Sequence, residues 1–231
     1  MVKHIRKMSF FFLLLVAGCD IRVLDPASET GRRIEDLIGL SFWMMMLVLV
    51  IVFILFIHFI KKYRVKDDSY VPPEEKENKW LEISWTVLPI ILLIILAIPT
   101  VIATYNLTYK SEAEEDSLKK EGLHVEVTAG QFSFTFTYPN GKESTNQLLL
   151  PVDREVTFTL TSKDVIHSFW VPELSGKIDA IPGKQTHLKF TPNQVGGYQG
   201  KCAEFCGSHH AMMRFTTRVV EQDTFTEWMD K

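Results

Sequence analysis

Hydrophobic and polar positions follow two different periods along this chain. Residues 38–60, IGLSFWMMMLVLVIVFILFIHFI, and 83–107, ISWTVLPIILLIILAIPTVIATYNL, contain no charged side chain. A helix rising about 1.5 Å per residue needs roughly 20 apolar residues to cross a ~30 Å hydrocarbon core, so each stretch predicts a transmembrane helix. A buried core helix is the weaker reading, because such helices seldom run so far without a polar face. After residue 122 the period becomes two. In QFSFTFTY, Phe132, Phe134, Phe136 and Tyr138 share one face and Ser133, Thr135 and Thr137 the other. That predicts a half-buried strand, with Asn140-Gly141 supplying the hairpin turn that follows. EVTFTLTS (155–162), THLKF (186–190) and RFTTRVV (214–220) repeat the pattern, with Gly or Pro between them. Short strands over this length predict a β-sandwich or barrel, and the last ten residues a short helix.

A third apolar run, Phe10 to Ala17, follows Lys3, Arg6 and Lys7 and is too short to span. It closes in Val16-Ala17-Gly18-Cys19, which resembles the lipobox of bacterial lipoproteins. Residues 1–18 are therefore expected to be a signal peptide and Cys19 the lipidated residue, with a plain signal peptide or an uncleaved anchor as alternatives. Between the two spans lie Lys61, Lys62, Arg64, Lys66, Lys76 and Lys79, against Arg22, Arg32 and Arg33 ahead of the first. The positive-inside bias places the connecting loop in the cytoplasm and everything beyond the second span outside. The expected organisation is an extracytoplasmic segment 19–37, a first span 38–60, a cytoplasmic loop 61–82 and a second span 83–107. A charged linker 108–122, an outer β domain 123–221 and a tail 222–231 follow. A net charge of −3 is too small to imply nucleic acid or another charged polymer as partner.

Candidate chemistry is concentrated in GKCAEFCGSHHAMMRF, residues 200–215. In an oxidising compartment Cys202 and Cys206 could form a disulfide, but so short a loop would stabilise little and leave the histidines and methionines unexplained. Zinc has little use for thioether sulfur. Two thiolates with imidazole and thioether favour copper, which soft sulfur ligands select. DVIHSFWVPEL offers a further ligand in His167, embedded among Phe169, Trp170 and Val171. A lone histidine there would more often be a satisfied core residue, and the later cluster is what gives it weight.

Cys202-x-Glu204-x-Cys206-x3-His210-x2-Met213, with His167 upstream in HSFWVP, resembles the dinuclear copper (CuA) motif of cytochrome c oxidase subunit II. The resemblance extends to the two spans and implies a cupredoxin-like outer domain. It implies that Cys202 and Cys206 bridge two copper ions through their thiolates. His167 and His210 would ligate one copper each, with Met213 as weak axial ligand and the Glu204 carbonyl on the second copper. The Glu204 side chain would face a magnesium site shared with subunit I, as suits a hard oxygen donor. His209 and Met212 are then neighbours, since only the family spacing selects 210 and 213. The resemblance also places Glu82, in LEISWTVLP, at the mouth of a proton path into subunit I; the alternative is an interfacial carboxylate exposed to solvent.

Two features depart from the family pattern or complicate it. Members usually carry Gln-Trp-x-Trp, whose tryptophan receives the electron from cytochrome c, whereas this chain has Gln131-Phe132-Ser133-Phe134. Phe132 thus stands at the expected receiving position. The lipobox followed by RVLDP (22–26) also resembles subunit II of quinol oxidases, which keep the fold without the copper ligands. The sequence contains no Cys-x-x-Cys-His haem-attachment site, so the donor is expected to be a separate cytochrome c. The resemblance implies a bacterial oxidase subunit that works with subunit I and other oxidase subunits. It would pass electrons to haem in subunit I for oxygen reduction coupled to proton pumping. Subunit II of a quinol oxidase and a membrane-tethered copper carrier are the alternatives.

Overall fold

The computed structural model describes residues 21–64, 77–107 and 122–231. Cys19, the signal-peptide stretch 1–18, Lys66, Lys76 and most of the 108–122 linker lie outside the described residues.

The chain divides into two compact units, one holding the N-terminal residues up to Glu35 together with the region from Ser111 onward, the other Asp36–Lys110. The second unit is made of two long helices, the first of which begins seven residues before it, at Glu29. α1 runs Glu29–Lys62 and α2 runs Lys79–Leu107. At 34 residues α1 is about 51 Å long, more than a bilayer core requires. Both helices expose Leu, Ile and Val on every side, and α1 Phe as well, so among the described residues their apolar surface has no internal partner. That distribution fits a membrane hairpin and does not fit a soluble amphipathic helix. Each helix also begins ahead of its uncharged stretch. The Asn78 side chain caps α2 by accepting from Trp80 and Leu81 N–H, which carries Glu82 into its first turn. Pro89 and Pro99 lie within α2.

The first unit is built on ten strands: β1 Leu123–Gly130, β2 Ser133–Thr137, β3 Glu143–Thr145, β4 Gln147–Pro151, β5 Val156–Ser162, β6 His167–Trp170, β7 Ile178–Ala180, β8 Thr186–Phe190, β9 Gly196–Cys202 and β10 Arg214–Val220. They form two five-stranded sheets, ordered β3-β2-β1-β5-β8 and β4-β10-β9-β6-β7. The β1–β5 and β4–β10 pairs are parallel and the rest antiparallel. Inward positions from both sheets meet in an aromatic core. Phe215 and Phe169 stack at 5.0 Å, Phe134 packs edge-on to Phe215 at 5.0 Å, and Phe158 stacks on Phe190 at 5.1 Å. Gly200 permits this arrangement, because a Cβ there would lie 2.0 Å from the Phe215 ring.

Two local readings of the sequence change. β5 is buried at almost every position rather than on one face. It lies between β1 and β8, where the outward Thr157 and Thr159 are met by cross-strand His124 at 3.0 Å and His187 at 3.3 Å. Phe132 sits in the turn before β2 and is only partly buried, so the alternating face starts at Phe134. The Asn140-Gly141 turn joins β2 to β3, with Gly141 at φ +80°. A helix α3, Gln222–Asp230, closes the chain, its Trp228 edge-on to Tyr138 at 4.9 Å and under the Lys142 ammonium at 4.2 Å.

Residues 21–35 belong with the β domain, which no periodicity predicted. Ser28 is fully buried. Its hydroxyl donates to the Leu174 carbonyl at 2.5 Å and accepts from Gly31 N–H at 2.8 Å, capping α1. Ala27 N–H donates to the Glu173 carbonyl at 2.8 Å, and Asn193 N–H to the Ala27 carbonyl at 2.9 Å.

Candidate metal centre

β6, β9 and β10 deliver the cluster. His167 opens β6, Cys202 ends β9, and Met213 stands immediately before β10. The register sets Phe169 opposite Cys202, and Cys202 N–H donates to the Met213 carbonyl at 3.0 Å, closing the base of the loop. Within that loop Gly207 takes φ +130°, a conformation few side chains tolerate, and a short 3-10 turn His210–Met212 turns His210 back toward the cysteines.

The donors converge on two sulfurs 3.8 Å apart, and both cysteines are free thiols. Nδ1 of His167 lies 3.9 Å from Cys202 Sγ, and the Glu204 carbonyl accepts from that thiol at 3.2 Å. Nδ1 of His210 lies 3.6 Å from Cys206 Sγ, and Met213 Sδ 3.7 Å from it. His167, Cys202, Cys206 and Met213 are all buried. His209 instead contacts Ser208 Oγ at 3.0 Å, and Met212 points outward, 76% exposed. The Glu204 carboxylate is half-exposed, 3.9 Å from Lys177 Nζ.

The surroundings prepare these groups for a cation. Asp164 accepts from His167 Nε2 at 2.8 Å and, with its other oxygen, from Gln131 N–H at 2.7 Å. Desolvation pushes the Asp164 carboxyl upward, but the His167 ring and the N–H groups of Gln131 and Val165 outweigh it and hold it at about 2. A carboxylate only accepts, so Nε2 carries the proton and Nδ1 presents its lone pair toward Cys202. Burial, followed by neighbouring Cys202, pushes the Cys206 thiol up to about 11. A positive ion between the sulfurs is what would favour thiolate there. Two thiols, two imidazole nitrogens, a thioether and one carbonyl form a soft, dry donor set that fits copper.

Asp164 and Gln131 were not singled out by the sequence, although Asp164 lies only three positions before His167. Gln131 also donates through Nε2 to the Cys206 carbonyl at 2.6 Å, so one residue ties the β1–β2 turn to the copper loop. The Phe132 ring rests 5.1 Å from that of His209, beside Gly207. Glu82 is exposed, its carbonyl accepting from Thr86 Oγ1 at 2.9 Å.

A two-sheet β domain with this donor set, joined to two membrane-length helices, defines a membrane-anchored protein of the cupredoxin-like class. The family model for the cytochrome c oxidase subunit II periplasmic domain matches residues 123–220, and that for its transmembrane domain matches 18–102. The chain belongs to the cytochrome c oxidase subunit II family. Cytochrome c oxidase subunit 2 of Alkalihalophilus pseudofirmus is 38% identical over 226 residues, 95% of this chain and 66% of that protein. Quinol oxidase subunit 2 of Bacillus spizizenii is 36% identical over 224 residues, 95% of this chain and 69% of that protein. This chain thus spans about two thirds of the length of these relatives. The crystal structure of the periplasmic domain of cytochrome oxidase subunit II from Bradyrhizobium japonicum is 34% identical, with a TM-score of 0.45, covering 47% of this chain and 91% of that one.

Proposed function

We propose that this chain is the electron-accepting subunit of a cytochrome c oxidase in a bacterial cell membrane, anchored by two spans with its β domain extracytoplasmic. It takes single electrons from cytochrome c and hands them to haem in subunit I, where oxygen is reduced and protons are pumped. One observation carries this reading: His167, His210, Met213 and the Glu204 carbonyl all converge on the sulfurs of Cys202 and Cys206. In this assignment Cys202, Cys206, His167, His210, Met213 and the Glu204 carbonyl would together hold a pair of copper ions. When bound, the copper pair supplies a one-electron store. The protein contributes a dry, prearranged cage, in which Asp164 fixes the His167 tautomer and Gln131 holds the Cys206 backbone, so few ligands need to move.

The outer parts of the assignment are proposals of the same kind. The Glu204 carboxylate, a hard oxygen donor, serves a magnesium ion at the boundary with subunit I. Phe132 stands where the family's receiving tryptophan is expected, and its contact with His209 sets an aromatic ring beside the neighbour of ligand His210. Glu82, in the first turn of α2, serves the mouth of a proton path, and Cys19 carries the lipid anchor.

A second reading, subunit II of a quinol oxidase, is favoured by relatives of that name at 36% identity. It fits less well because the resembling quinol oxidase subunits lack copper ligands, whereas this chain has all of them. Purification of the oxidase from native membranes separates the two. Haem with a two-copper near-infrared band, and turnover with reduced cytochrome c, supports the proposal. Haem without that band, with turnover on quinol alone, replaces it; copper without haem marks a copper carrier.

A further inference from the structure

The outer face of the second sheet carries charge that the copper centre does not use. Lys201 and Arg214 lie directly opposite each other across the β9–β10 pair, and like charges so placed repel. Both line a surface cavity of about 270 Å³, whose other walls are Arg22, Pro172, Gln199 and Gly200. Among the described residues no carboxylate lines it. The Lys201 ammonium rests 4.6 Å over the Trp170 ring, and Arg214 Nε donates to the Ala211 carbonyl at 3.3 Å. Among the described residues neither makes an ion pair. Arg22 approaches Glu173 at 3.9 Å, which offsets one of the three cations and leaves the cavity positive.

We propose that this cavity binds the phosphate of an anionic phospholipid headgroup. Guanidinium groups on two sides match phosphate oxygens in geometry, the ammonium adds a point charge, and the Gln199 amide can donate to a headgroup hydroxyl. An anion between Lys201 and Arg214 also removes their mutual repulsion. The lipid source follows from position in the chain: Arg22 precedes Glu29, the first residue of α1, by a short segment, and follows Cys19 closely. Three residues reach at most ~10 Å, so a lipid on Cys19 keeps Arg22 at the headgroup layer, where basic residues draw anionic lipid. That placement rests on the lipid-anchor reading proposed above, while the cavity itself does not.

The test uses the full chain in detergent, loaded with copper and stripped of lipid. It is titrated calorimetrically with short-chain phosphatidylglycerol, short-chain phosphatidylcholine and inorganic phosphate. Saturable one-to-one binding of phosphatidylglycerol is expected, with the other two at least roughly tenfold weaker. The double substitution K201Q/R214Q lowers that affinity about thirtyfold, near the sum for two interfacial charges. Arg218→Gln, on the same sheet face outside the cavity, leaves it unchanged. The near-infrared copper band, retained in every variant, reports that each is folded. Equal binding of phosphatidylcholine, or phosphatidylglycerol binding indifferent to K201Q/R214Q, overturns the proposal. Inorganic phosphate binding as tightly as the lipid overturns the lipid assignment in favour of a free anion. Loss of the site in the intact oxidase overturns it in favour of an acidic protein partner.

Discussion

Asp164 accepts a hydrogen bond from the ring of His167 at 2.8 Å, and this one contact sets which nitrogen of the histidine faces Cys202. The same carboxylate anchors the Gln131 backbone, so the β1–β2 turn, the approach to β6 and the copper loop are joined through the side chains of Asp164 and Gln131. Asp164→Ala should therefore weaken copper binding by about 10- to 100-fold, as loss of a ligand-orienting partner does. Competition against a chelator of known affinity measures it. Asp164→Asn, which can still accept from the ring, should fall between. Unchanged affinity in Asp164→Ala would show that His167 needs no such support.

The loop sorts its adjacent pairs by direction. His210 and Met213 meet Cys206, whereas His209 meets Ser208 and Phe132 and Met212 faces solvent. His210→Ala or Met213→Leu should abolish or reshape the near-infrared copper band. His209→Ala and Met212→Leu should leave its position and shape alone. The opposite pattern, read by absorption spectroscopy, would refute the register.

Gly200 lies against the Phe215 ring, which is itself stacked on Phe169. A methyl group there has no room, and the ring cannot step aside without breaking the aromatic stack. Gly200→Ala should cost about 3 kcal/mol, at the upper end for an overpacked core, and lower the melting temperature by roughly 10 °C or more. A melting curve superimposable on that of the parent would contradict the close approach.

Tyr138 is buried, its hydroxyl donating to the Leu149 carbonyl at 3.0 Å and accepting from Leu149 N–H at 2.8 Å. Burial pushes its phenol up to about 12, against an ordinary value near ~10. Between those values the unfolded chain gives up the proton first. Stability is therefore full below pH ~10 and is lost as pH rises toward ~12, by about 2–3 kcal/mol. Denaturant unfolding across that range should show the slope. Tyr138→Phe should be less stable at neutral pH, because Leu149 N–H loses its acceptor, yet flatter in alkali. An equally steep alkaline limb in the variant would assign the loss to other groups.

Strands with strict alternation, such as RFTTRVV and THLKF, were legible because one face meets the core and the other water. β9 was not, since GGYQGKC hides its inward positions behind glycine, and Gly200 faces the core only because Phe215 fills the space a side chain would take. The docking of residues 21–35 left no periodic trace either, because it depends on Ser28 and a few backbone hydrogen bonds. At the site, donor types and spacing were visible as a family resemblance. The distinction between His209 and His210 was not a local property. It arises where Gly207 turns the loop and Phe132 and Gln131 arrive from the other sheet. The parts played by Asp164 and Gln131 were illegible for the same reason, as they exist only once the sheets pack.

Because residues 21–35 complete the β domain, the decisive measurement belongs on the full chain rather than on a fragment starting after the second span. The full chain in detergent, reconstituted with copper, should give an electron paramagnetic resonance spectrum whose hyperfine multiplet shows one electron shared equally by two copper nuclei. A spectrum showing the multiplet of a single copper nucleus, at any copper loading, would contradict the assignment of Cys202 and Cys206 as bridging ligands.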